Sequence, residues 1–330
     1  MNLSFFDNKP NLDELDFKHD ILNKMGKLHI DQITNLIFCG LPTSGKTTKI
    51  YAFLASLFDK RVYDIKNVEF EEDRKTMTYK SSIYHIEINP IHLGSNEKLF
   101  ISSFLKLYVE TRNIGLNIPK IVLIKNADLL SKNSQLSLRK IVESNSCTSR
   151  FIFEVSNMSG FAQALVSRCI IIRIKMPSID EIKLCIKDLD KDLDNDVIDM
   201  IIEESNKINL ILNLKKIFGY YRYYKHTGKK FNFLYYEKFN DILNIINNKK
   251  ISFVSLQKVR DIINEMYINL VSMDELLHFI FNKLNKSHNN EFIFKLLDLT
   301  VICDKNLKKG NKDCLHLEYY IIAIIDLIHN

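Results

Sequence analysis

The stretch Gly40-Leu41-Pro42-Thr43-Ser44-Gly45-Lys46-Thr47 constrains this chain more than any other, because it fits the pattern G-x-x-x-x-G-K-[ST]. The apolar run Leu36-Ile37-Phe38-Cys39 precedes it, and Ile50, Phe53, Leu54 and Leu57 follow at helical spacing. In such a strand, glycine loop and helix, backbone N–H groups of the loop wrap an anion and the positive end of the helix dipole points at it. Lys46 then reaches the β- and γ-phosphates of a nucleotide, the Thr47 hydroxyl is a ligand for Mg²⁺, and Thr48 stands in the first helical turn. With only 9 glycines in 330 residues, this spacing is not expected by chance.

The alternation continues through the first 175 or so residues. Glu71-Glu72-Asp73-Arg74-Lys75 reads as a hairpin turn, and Tyr84-His85-Ile86-Glu87-Ile88 as an alternating strand. A helix is predicted from about Glu97 to Arg112 and another over Gln135–Glu143, with apolar strands at Ile121–Ile124, Phe151–Val155 and Cys169–Ile174. Successive βαβ units predict an α/β fold with a mostly parallel sheet. After Pro177 the period is helical almost throughout, with segments expected near 181–190, 195–205, 209–225, 232–247, 253–270, 273–285, 290–303 and 315–329. Ser178 with Glu181, and Ser272 with Glu275, both have capping-box spacing. Three domains are expected: a nucleotide-binding domain over 1–175, a helical lid over 176–228, and an all-α C-terminal domain over 229–330 that starts near Gly228-Lys229-Lys230.

Composition narrows the function. No run reaches the about 18 apolar residues of a membrane span, and the start is polar and acidic, so a soluble, non-secreted protein is expected. The six cysteines lie far apart with no C-x-x-C pair, which points to reduced, mostly buried thiols rather than zinc or disulfides. A net charge of +6 permits phosphate contacts without making the whole surface attractive to nucleic acid. Phe218–Tyr236 interleaves aromatic and basic residues. It reads better as a lid helix packed through Tyr220 and Tyr224, with Lys229 and Lys230 at a hinge, than as a stacking platform for single strands.

Hydrolysis needs more than the loop. A carboxylate behind the Mg²⁺ and a group that orients water normally stand at the end of a neighbouring apolar strand. Here Ile121–Ile124 runs into Lys125-Asn126-Ala127-Asp128, so the two positions directly after the strand carry no negative charge. Asp128 lies further on, as a metal-side residue or as a helix cap. Removing a positioned acid or base costs about 10² to 10⁴ in rate, so turnover at this site is expected to be very slow or absent.

The stretch Ile121–Ile174, with Ser167-Arg168-Cys169 in it, resembles the AAA+ module of clamp-loader small subunits of the replication factor C family. Ser82–Pro90 and Gly310–Glu318 are similar to the small subunit at the end of that family's pentameric arc, whose Walker B motif is also degenerate. The resemblance implies ATP or ADP at Gly40–Thr48, possible Mg²⁺ at Thr47, and Asn157 as the residue that senses the γ-phosphate. It makes Arg168 an arginine finger reaching into the neighbouring subunit's site, a role worth roughly 10³ to 10⁵ in rate. Ser167 and Cys169 then hold the turn. The family's Walker B acids fall on Lys125 and Asn126, the lid arginine falls on Ile211, and the N-terminal basic, aromatic element is reduced to Phe5–Pro10.

The implied partners are other clamp-loader subunits in a hetero-pentamer joined by the C-terminal collar, a sliding clamp and primer-template DNA, with no membrane. The place of work would be the nucleus, or a viral replication compartment for a virally encoded chain. Lys132 is a candidate phosphate contact or a solvated lysine, Arg139 a DNA contact or a structural link, and Gln135 holds the position that relays DNA contact toward the nucleotide. Two rivals stand beside this reading: an autonomous P-loop ATPase that uses Asp128, and a scaffold subunit with a vestigial loop and an idle Arg168.

Overall fold

Seven strands form one sheet among the residues that the computed structural model describes, which are 10, 12–15, 19–72, 75–113, 115, 118–190, 193–206, 214–228, 234–248, 252–269, 271–285, 289–309 and 312–329. They are β1 Leu36–Cys39, β2 Lys66–Glu72, β3 Lys75–Ser81, β4 His85–Ile88, β5 Lys120–Ile124, β6 Ser149–Val155 and β7 Ile170–Arg173. Their order is β2-β3-β4-β5-β6-β1-β7. Strands β4, β5, β6, β1 and β7 run parallel, and β2 and β3 add an antiparallel hairpin at the β4 edge. The longer helices are α1 Lys46–Leu57, α2 Lys132–Ser144, α3 Ile179–Leu189, α4 Asn195–Asn206, α5 Leu214–Thr227, α6 Leu234–Asn247, α7 Phe253–Ile268, α8 Met273–Leu284, α9 Asn290–Lys309 and α10 Asp313–His329.

A parallel sheet has to be covered on both faces. Ile50, Phe53 and Leu54 of α1 bury Leu36, Phe38, Leu123 and Ile152 on one face. On the other, Leu138 and Val142 of α2, with Phe100 and Leu105, bury Ile37, Val122, Phe151 and Phe153. Fully burying a side chain of this kind contributes roughly 1.5–3 kcal/mol. That explains why β5 and β6 are apolar runs and not alternating ones.

The chain divides into two compact units, Met1–Leu189 and Asp190–Asn330. The first contains the sheet and α3. The second is helical, with a core that includes Phe239, Ile242, Ile263, Leu277 and Tyr320. No helix among the described residues is long and apolar enough to cross a membrane.

Several sequence expectations shift. The helix expected over 97–112 is Glu97–Phe100, a π-helical turn Ile101–Leu105, then Lys106–Val109. Ser102 and Ser103 donate to the carbonyls of Lys98 and Leu99, 2.8 Å each, which competes with the helical ladder. The capping box forms at Ser178 and Glu181, with contacts of 2.7 and 3.2 Å. It does not form at Ser272, whose side chain makes no cap bond, because Glu275 pairs with Lys216 instead. On α5 the buried face is Leu214, Ile217, Phe218 and Tyr221, leaving Tyr220 and Tyr224 half-buried. The cysteines are free, but only Cys185 and Cys303 are buried and Cys147 is exposed. Ile211, Lys229, Lys230 and the Phe5–Lys9 segment lie outside the described residues.

Candidate nucleotide-binding site

Strand β1 ends at Cys39, and the chain turns through residues 40–45 into α1. A Cβ on Gly40 would stand 2.5 Å from the Ile174 carbonyl oxygen and 3.0 Å from Ser44 Oγ, so only glycine fits there. Gly45 has a φ of 83°, the left-handed region glycine enters without strain. Lys46 is 4% exposed, and its Nζ donates to the carbonyls of Gly40 (2.8 Å) and Leu41 (2.9 Å) and to Ser156 Oγ (3.1 Å). Burial lowers its pKa, against the opposing charges of Glu154 and Asp128. Ser44 Oγ is buried with no hydrogen-bond partner. A buried ammonium, an orphaned hydroxyl and the free N–H groups opening α1 suit the phosphates of a nucleotide.

The sheet order decides what else faces this loop. β1 lies between β6 and β7, so β5 is one strand removed. Glu154 of β6 stands in register with Phe38 of β1, is 8% exposed, and accepts from Thr47 Oγ1 at 3.0 Å (Oε1) and 3.1 Å (Oε2). Among the described residues it is the carboxylate hydrogen-bonded to the loop's own side chains. Its signal in the sequence was a glutamate inside the apolar run Phe151-Ile152-Phe153-Glu154-Val155, which reading that run simply as a strand passes over.

At the end of β5, Lys125 and Asp128 both have partners. Lys125 Nζ pairs with Glu87 Oε2 at 2.8 Å and donates to Tyr51 Oη at 3.0 Å. Glu87, 3% exposed, also meets His85 at 3.4 Å and accepts from the Tyr51 hydroxyl. The alternation in β4 therefore does not mark a wet face, since all four of its residues are buried. Burial alone would raise the Glu87 pKa, but the hydrogen bond from His85, the charge of Lys125 and the bonds from Lys125 and Tyr51 outweigh it and hold it at about 2. Asn126 adopts a φ of 47°, which asparagine tolerates better than most residues. Asp128 turns toward β6, accepting from the backbone N–H groups of Ser156 (3.3 Å) and Asn157 (3.1 Å). It fixes the strand exit where Asn157 caps a short turn by accepting from Ser159 N and Oγ.

Gln135, 2% exposed, joins α2 to the segment that leads to Arg168. Its amide nitrogen donates to the carbonyls of Leu130 (2.9 Å) and Gly160 (3.1 Å), and its oxygen accepts from Ala162 N at 2.6 Å. Gln135→Ala is expected to destabilise the N-terminal unit by about 2–3 kcal/mol, the cost of leaving these buried groups unpaired; urea unfolding of the full chain measures it. Arg168 follows the short helix Gln163–Val166, half-buried, donating to Ala164 O (2.6 Å) and Ser167 Oγ (3.0 Å) and pairing with Glu143. Arg139 pairs with the same Glu143 at 3.0 Å, and Lys132 is exposed in the first turn of α2. Burial pushes the Cys169 thiol up to about 12, so it holds the turn as an inert group.

Loop and sheet order define a P-loop protein of the AAA+ fold. The structure of AMPPCP-bound DnaA from Aquifex aeolicus has the same fold, with a TM-score of 0.50 at 14% identity over 97% of this chain and 99% of that one. No family profile matches the sequence. Full-length relatives are more specific: replication factor C subunit 3 of Arabidopsis thaliana is 25% identical over 97% of this chain and 95% of its own length. Replication factor C subunit 5 of Saccharomyces cerevisiae is 24% identical over 89% of each. The chain is a homologue of the replication factor C small subunits.

Proposed function

We propose that this chain is a small subunit of a sliding-clamp loader of the replication factor C kind, which holds ATP or ADP at Gly40–Thr48 without turning it over and supplies Arg168 to a neighbouring subunit's site. Homology along nearly the whole chain, combined with a P-loop whose strand-end acids are Lys125 and Asn126, is the observation that carries this reading. Lys125 is bound to Glu87, and both Asp128 oxygens accept from backbone N–H groups of the β6 exit, so both side chains already have structural partners. Asn157 would stand beside the γ-phosphate. A bound Mg²⁺ would neutralise phosphate charge beside Thr47.

In this proposal the three-part division 1–175, 176–228 and 229–330 corresponds to nucleotide module, lid and collar. The collar joins the subunits into a hetero-pentamer. Phe294, Leu297 and Val301 on α9 and Leu315, Tyr319 and Ile322 on α10 are exposed at helical spacing, and exposed apolar rows of this kind suit contact with partner subunits. Lys132, and more weakly Arg139, would touch the phosphates of primer-template DNA in a sequence-independent, salt-sensitive way. Such work belongs in the nucleus or in a viral replication compartment.

Reconstitution with and without this chain tests the proposal. The chain alone is expected to show no ATPase, and an assembly lacking it is expected to lose clamp- and DNA-stimulated turnover. ATPase by the lone chain that disappears in Asp128→Asn would replace this reading with an autonomous enzyme.

A further inference from the structure

The P-loop of this chain has lost the acids at the end of β5 but not every acid in reach. We infer that Glu154, from the strand next to β1, is the carboxylate that serves a Mg²⁺–nucleotide here, a place normally filled from the strand beyond. This rests on the reading that Gly40–Thr48 binds a nucleotide.

In P-loop proteins the metal is held by the loop's Ser or Thr hydroxyl and a strand-end carboxylate close to it. Thr47 and Glu154 already meet in this way, with both Glu154 oxygens 3.0–3.1 Å from Thr47 Oγ1. Position follows from topology. Side chains alternate along β6, so Phe151, Phe153 and Val155 belong to the α2 face while Ile152 shares the α1 face. Glu154, two residues on from Ile152, falls on the α1 side, next to the first turn of α1.

Energetics favour a cation at this point. A carboxylate with 8% exposure is costly unless charge or hydrogen bonds compensate it. Among the described residues Thr47 is its hydrogen-bond donor; Lys46 contributes opposite charge from nearby, but its Nζ donates to Gly40, Leu41 and Ser156 and not to Glu154. Glu154 therefore keeps lone pairs for a hard cation and its water, the ligand type Mg²⁺ prefers. Ser44 gives an independent pointer to a ligand: its hydroxyl is 3% exposed, has no partner, and lies inside the loop against Gly40. At the end of β5, Lys125 is tied to Glu87, and Asp128 is held by the backbone N–H groups of Ser156 and Asn157 instead of by a side chain of the loop. One acid at the metal and none at the water is also a reason for binding without hydrolysis.

The test is titration of the full chain with a fluorescent ATP analogue, with Mg²⁺ and with a chelator, for wild type and Glu154→Gln. Mg²⁺ is expected to tighten wild-type binding about tenfold or more, and Glu154→Gln to lose most of that gain while its metal-free affinity changes little. Mn²⁺ in place of Mg²⁺ gives a spectroscopic reading of the same site without any turnover. If Glu154→Gln does not fold, Thr47→Ala takes its place and is expected to lose the same metal dependence. Glu154→Gln binding Mg²⁺–nucleotide as tightly as wild type, or tighter, overturns the inference, as does metal dependence retained in Thr47→Ala. Wild type that binds nucleotide indifferently to Mg²⁺ overturns it and leaves nucleotide binding standing. Wild type that binds no nucleotide under either condition removes both.

Discussion

On the proposed function, Arg168→Ala is expected to lower turnover at the neighbouring subunit's nucleotide site by about 10³- to 10⁵-fold, the range over which an arginine finger acts, while this chain is expected still to fold, assemble and bind its own nucleotide. The side chain's own contacts are compatible with such a role. Its base is fixed by the Ala164 carbonyl and Ser167, yet the group is 32% exposed, so the guanidinium is oriented without being enclosed. Glu143 holds it in the single chain and also binds Arg139, so leaving Glu143 for a phosphate does not strand a buried charge. An exposed pair of this type contributes little to stability, so a transition-state phosphate can compete for the guanidinium. Single-turnover ATPase of the reconstituted assembly, with nucleotide affinities measured alongside, is the deciding experiment. If turnover does not change, Arg168 is idle and the chain is a scaffold.

The phosphate loop was legible because its chemistry demands particular residue types at fixed spacing, and Gly40, Gly45 and Lys46 stand where that demand places them. The sheet was legible for a related reason, since a parallel strand covered on both faces needs an unbroken apolar run. Neighbourhood in the sheet was not. Nothing in the order of residues along the chain states that β6, not β5, lies beside β1, so Glu154 looked like a strand residue and Asp128 looked distant. The sequence marked His85 and Glu87 only as the polar positions of an alternating strand and did not show that they meet Tyr51 and Lys125 in the interior. Tyr221 took the place expected for Tyr220 and Tyr224 because the buried stripe of α5 begins at Leu214, within a segment whose start the sequence does not mark.

Strand β4, buried throughout, carries the second large effect. Lys125→Met is expected to destabilise the N-terminal unit by about 3–5 kcal/mol, the cost of removing one partner from a buried ion pair. Glu87 would keep His85 and Tyr51 but lose its ammonium. The pH dependence has a definite sign. Glu87 is held at about 2 against an ordinary value of 4.5, so on acidification the unfolded chain takes up its proton first. Its contribution, about 3 kcal/mol, is fully present above about pH 4.5 and is lost as pH falls toward 2. Removing Lys125 should erase much of that acid-dependent loss, because the stability is then already missing at neutral pH. Lys125→Asp, which puts an acid directly after β5, should be worse than Lys125→Met, since it sets a second carboxylate against Glu87. It should restore no turnover, whereas Lys125→Met with Glu87→Leu should recover most of the stability lost by Lys125→Met alone. Urea unfolding of the full chain at pH 7 and at about pH 2.5, near the lower end of that window, separates these outcomes. Equal stability of the Asp and Met variants would mean that Glu87 does not depend on the lysine.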